Sequence, residues 1–222
     1  MSFTDWISAA ADLVMAGSAV SGVCYARRWY NQVVSDEGTK LSLKFVEYVL
    51  PEIRLSLDKI PNNTLQMKTI AGACLKNEYK EHKETFDYLI DGINTNLNKF
   101  KSNRFELIQC LASLERRGFN ATDSKRKYIN NIAANCISIE PLLMEAYDLI
   151  SLIRLQSGIT SSMYEAMRFN IFSTGRHDNQ TLYDMLVIRT DVLLVQYNEC
   201  LNSYDKFMEG EPHIKSYFQI KK

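Results

Sequence analysis

The chain is expected to be all-α: an N-terminal transmembrane helix, then an elongated antiparallel bundle of about five or six helices. Three observations carry this expectation. Gly (9) and Pro (4) are scarce over 222 residues, so turns are few and the segments between them long. Apolar residues recur at three- and four-residue steps through most of the chain. The run from Trp6 to Ala26 carries one charge, Asp12, and stops abruptly at Arg27-Arg28.

That first element is the most informative. About 20 helical residues span a hydrocarbon core of about 30 Å. Trp6 stands at one end of the run, and Tyr25, Trp29 and Tyr30 at the other, as interfacial aromatics do. No Lys or Arg precedes Arg27, whereas Arg27, Arg28, Lys40 and Lys44 follow, which places the N-terminus outside and the bulk in the cytoplasm of an inner membrane. Insertion is close to balanced. Ile7, Leu13, Val14, Val20 and Val23 together contribute about −2 to −3 kcal/mol, against up to about +3 kcal/mol for Asp12. Self-association would tip the balance. Gly17 and Ser21 are one helical turn apart, as are Ser18 and Gly22, and small residues at that spacing let helices approach closely. Asp12 falls on the opposite side of an ideal helix from Ser21 and is the intramembrane polar candidate. The lipid bilayer and a second copy of the chain are therefore expected partners, beside an unidentified protein. The competing reading is a soluble, cytoplasmic α-helical adaptor whose first helix is buried in a core or a partner interface. A cleaved signal peptide fits less well, because no positive charge precedes the apolar run and Arg27-Arg28 would follow the cut.

The layout of a short apolar helix closing on Tyr25-Ala26-Arg27-Arg28-Trp29-Tyr30-Asn31-Gln32 ahead of charged helices is similar to that of small bacterial membrane-anchored proteins, some of them in phage-defence systems. The similarity covers about the first 60 residues and carries no functional residue with it. It implies a membrane effector or sensor.

Residues 1–30 are thus set apart from a bundle over 31–222, with residues 118–127 as a candidate internal linker. Ser35–Gly38 suggests a break, and Pro51 a kink or boundary. Pro61–Asn63 suggests a turn, with Asn63 and Gln66 as a capping box. One helix is then expected from about Met67 through the polar stretch 76–84 to Phe100. Asn103 and Glu106 suggest a new helix start, stopped at Gly118. Residues 120–127 (NATDSKRK) hold the densest positive run, read as a solvated loop and helix start, with lipid-headgroup contact as the alternative. A long helix follows over about Asp123–Gln156 with a kink expected at Pro141, then a short one from Ser162 to Phe172. Thr181 and Asp184 are expected to cap a last helix with Leu186, Leu193, Tyr197, Cys200, Tyr204 and Phe207 along its buried seam.

The sequence offers little chemistry. Lys+Arg and Asp+Glu are both 26, which argues against a nucleic-acid binder working by bulk charge. A content of 46% hydrophobic and 23% charged residues is too apolar for global disorder. The five cysteines form no C-x-x-C pair and read as buried, reduced thiols of a reducing compartment, so neither a metal nor a cofactor is expected. Phosphate-loop, dinucleotide and EF-hand signatures are absent. Arg176, His177 and Asp178 are the one place where a guanidinium, an imidazole and a carboxylate share a loop, and they are the catalytic candidates of a hydrolase reading. A non-enzymatic anchored protein is the leading expectation.

Overall fold

The computed structural model describes residues 3–76, 78–156, 178–210 and 217–220; along the first helix, the side chains of residues 3–14, 16, 17, 19, 29–31 and 34 fall outside that description. Helix α1 (Phe3–Lys44) runs through a π turn (Phe45–Val49) into α2 (Leu50–Leu57). Pro51 has no N–H, and in a regular helix its ring would strike the carbonyl of Glu47. The π turn just ahead relieves this, the Leu50 N–H bonding to the Phe45 carbonyl five residues back. Pro51 therefore marks a bulge rather than a stop. The break suggested at Ser35–Gly38 is absent. Gly38 stays helical, and its missing side chain serves close approach: a Cβ there would lie 2.0 Å from Cε2 of Phe119.

Asp58-Lys59 separates α2 from α3 (Ile60–Leu75). The turn expected at Pro61–Asn63 is the first turn of α3, where a proline lacking an N–H costs no hydrogen bond. The Asn63–Gln66 box does not form. Asn63 is buried and accepts a hydrogen bond from Asn96 Nδ2 at 3.0 Å. The single helix expected across 67–100 is also corrected. The chain turns at a 3₁₀ segment (Tyr79–His82) before α4 (Lys83–Arg116), because Tyr79 points into the core. No helix starts at Asn103: α4 runs through it, and Asn103 Nδ2 instead donates to Glu52 O (3.0 Å) and Ser56 Oγ (2.8 Å) across the bundle.

Gly118, at φ +77°, follows the end of α4. Strand β1 (Phe119–Ala121) leads into α5 (Asp123–Gln156). Pro141 is tolerated within α5 on the solvent side, where the carbonyl it leaves unbonded, that of Ile137, sits on an exposed residue. Helix α6 (Asn179–Met208) ends before Gly210, at φ +114°. It is capped not by Thr181 and Asp184 but by Asp178, whose carboxylate accepts the Thr181 N–H at 2.7 Å. Strand β2 (Phe218–Ile220) pairs antiparallel with β1, Phe119 opposite Ile220 and Ala121 opposite Phe218. The expected all-α bundle is present, with this one ribbon added. The ribbon joins segments almost a hundred residues apart and has no hairpin turn to announce it.

Ion pairs give the register of the bundle. Lys44–Glu106 (2.7 Å) and Lys99–Glu52 (3.1 Å) set the α1–α2 rod antiparallel to α4. Asp87–Arg154 (2.6 Å) and Arg104–Glu140 do the same for α4 and α5, and Arg189–Glu145 (3.1 Å) for α5 and α6. Two apolar clusters stack along the axis. One centres on Phe45, Leu50, Phe100, Ile132 and Phe207, closed by Phe119 and Phe218 of the ribbon. The other centres on Met67, Ile70, Ile93, Ile150 and Leu186. Leu186, Leu193, Cys200 and Phe207 are fully buried at seven-residue intervals, with Tyr197 and Tyr204 partly buried between them, so the seam expected for the last helix is its core face.

Candidate functional site

The most unusual feature is the N-terminal part of α1. No described residue before Gly38 is buried. Met15 (63%), Val20 (64%), Val23 (68%) and Tyr25 (77%) expose most of their surface, although such residues ordinarily pack inward. Every described side chain from Met15 to Arg28 is exposed. Ser18 Oγ donates to Met15 O at 2.9 Å, a local bond that needs no neighbouring helix. Ser21 and Gly22 are exposed, and a Cβ on Gly22 would meet nothing within 4 Å, so the small-residue seam is open to an incoming helix. Arg27 and Arg28 are exposed beside Tyr25, and Cys24 is an exposed free thiol. Trp6, Asp12, Gly17, Trp29 and Tyr30 lie within the helical backbone of α1, but their side chains are outside the described set. Among the described residues, no helix is long and apolar enough to cross a membrane.

Among the described residues, a largely buried polar cluster around Arg154 is one that the sequence did not reveal. Arg154, only 6% exposed, donates from Nε to the Tyr79 hydroxyl (2.9 Å) and from Nη2 to Asp87 Oδ1 (2.6 Å). The Tyr79 hydroxyl donates to the same carboxylate oxygen (2.5 Å), and the guanidinium lies 5.6 Å from the tyrosine ring centre. Burial, and then the hydrogen bond to Asp87, push the Tyr79 hydroxyl well above the ordinary tyrosine range. Each member has a partner, and the described hydrogen bonds and ion pairs bring no nucleophile to them. The cluster can fix how α4, α5 and the 3₁₀ turn meet, and the geometry gives it no further chemistry. Its one sequence signal is a lone aromatic, Tyr79, in an otherwise charged stretch.

Cys136 and Cys200 are fully buried with their sulfurs 3.8 Å apart, and both are free thiols. Their mutual hydrogen bond and then burial raise the Cys136 thiol, which keeps it protonated and unreactive. Of the hydrolase candidates, Asp178 is engaged as the α6 cap, and Arg176 and His177 lie outside the described residues. Among the described residues no group of His, Cys, Asp and Glu could hold a metal ion. Comparison with protein families, with curated proteins and with solved structures found no match to this chain.

Proposed function

We propose that the protein is a non-enzymatic membrane-anchored helical bundle, with the N-terminal part of α1 held in a bilayer and the bundle on the Arg27-Arg28 side. The supporting observation is the exposed rod: an apolar helix running clear of its own protein leaves a surface that water solvates poorly. The sequence of residues 6–26 says what would cover it, being close to span length and bordered by aromatics and arginines. Self-association through Gly17, Ser18, Ser21 and Gly22 would form the packing seam, and Asp12, on the opposite side of the helix, would mark a separate polar stripe. That arrangement suits a sensor whose bundle binds a partner protein, or a defence-type effector whose clustered helices perturb the membrane.

The second reading is a soluble adaptor that docks the same rod against a partner. It is favoured by the presence of Asp12 within the run, a charge that water solvates and hydrocarbon does not. Flotation separates the two. After an alkaline carbonate wash, the full chain is expected to rise with membrane vesicles through a density gradient. Recovery at the bottom of the gradient would eliminate the anchored reading. Flotation is preferred to pelleting because a bundle unfolded by alkali can sediment without any membrane.

A further inference from the structure

We propose that the end of the bundle from which α1 emerges is an electropositive face that rests on the anionic headgroups of the bilayer holding α1. This rests on the anchored reading and adds the lipid charge that the body selects. Several elements converge at this end. Glu37 of α1 meets Arg117 at the close of α4 (3.5 Å), and Gly38 abuts Phe119 of the ribbon. The Thr122 N–H, just before α5, donates to the carbonyl of Tyr217 at 2.9 Å, which brings in the C-terminal segment. Lys125 donates to the carbonyls of Lys206 and Glu209, which adds the end of α6.

The charges there are of two kinds. Arg117, Lys44 and Arg126 are neutralised by Glu37, Glu106 and Asp123, and Lys125 is held by the α6 carbonyls. Lys40, Arg116 and Lys127 are exposed and, among the described residues, have no carboxylate partner, while Arg27 and Arg28 lie about 15 Å further out along α1 at the hydrocarbon border. Among the described residues at this end, two exposed acids outside any ion pair, Asp36 and Glu115, stand against these cations and the charge of Lys125. The chain as a whole has formal net charge zero, so this excess is a concentration of charge at one end rather than a property of the composition.

Distance makes the face effective. With the hydrocarbon border at Arg27-Arg28, Gly38 stands about 15 Å away along α1 at 1.5 Å per residue. The headgroup layer takes up about 6 Å of that, leaving about 9 Å, close to one Debye length at physiological salt. Helix tilt brings one side nearer still. Lysines and arginines at this range are drawn to anionic lipid.

The test uses the full chain in a Cys24→Ser background, labelled with a donor dye at Ser124→Cys on this end. It is reconstituted into vesicles of phosphatidylcholine alone, or with about 30 mol% phosphatidylglycerol, each carrying a headgroup acceptor dye. Energy transfer should be higher in the anionic vesicles. The gain should disappear in about 0.5 M NaCl, and in the variant Lys40→Gln/Arg116→Gln/Lys127→Gln, while that variant still floats with its vesicles. Equal transfer in the two lipids, from protein that floats, would overturn the headgroup contact and leave the anchor standing. Protein that does not float would overturn both.

Discussion

At Gly38, a hydrogen is all that separates α1 from the ring of Phe119. An alanine there would gain about 1 kcal/mol of helix propensity. Its methyl would also fall within 2.6 Å of three ring carbons, on a phenylalanine that is 6% exposed and packed in the core. Overpacking costs about 1–3 kcal/mol, and contacts as short as 2.0 Å put this one in the upper part of that range, so the clash outweighs the gain. Urea denaturation of Gly38→Ala should show a net loss of about 1–2 kcal/mol, partly restored by Phe119→Leu in the same chain. Unchanged stability would mean that the ring has room to move.

Tyr79 gives a pH dependence with a definite sign. Its hydroxyl is raised above the ordinary value of about 10, so its contribution is complete below that pH and is lost as pH rises further. Urea midpoints should therefore fall from about pH 10 upward, and the fall should be shallower in Tyr79→Phe. That variant starts about 1–3 kcal/mol lower at neutral pH, because Arg154 and Asp87 each lose a hydrogen-bond partner. Parallel alkaline slopes in the two proteins would show that Tyr79 is not the group responsible.

Among the elements, α6 and α1 show two uses of the same backbone. In α6 a four-three alternation of apolar residues fixes one face against α5 and leaves the other to water. In α1 the first stretch is mostly small and apolar, with Asp12 the one charge between Trp6 and Ala26, so little of it suits water. In the anchored reading a second copy would cover it, and Gly17 with Ser21, small residues one turn apart in the sequence, would let the two helices approach closely. Replacing both by leucine should cut self-association several-fold in a membrane two-hybrid assay while raising apolarity and preserving flotation. Undiminished association would move the contact to another face.

The bundle and the rod are energetically separable. The apolar clusters begin at Phe45, with Leu41 partly buried against them, and draw nothing from the described residues before Gly38. Deleting residues 1–30 should therefore leave the thermal midpoint within about 2 °C and abolish flotation. A large drop in the midpoint would mean that the rod contributes to the folded body.

Much of the helical architecture was legible in the order of residues. The Asp123–Gln156 helix, the stop at Gly118 and the seam of α6 follow from periodicity and a terminal glycine, which act over one or two turns. The errors share one cause: short-range signals were overruled by distant neighbours. Asn63 and Asn103 look like helix caps but spend their amides on Asn96, Glu52 and Ser56. Gly38 looks like a break but makes room for Phe119, and Tyr79 interrupts a helix where a buried arginine seventy-five residues on donates to its hydroxyl oxygen. The candidate site divides in the same way. The apolar run and its arginine border are written in consecutive residues, since lipid recognises a helix by local composition. That this helix leaves the bundle uncovered, and that unpaired cations collect where it departs, emerged only once the chain was folded, because both depend on which surfaces the remaining helices take for themselves.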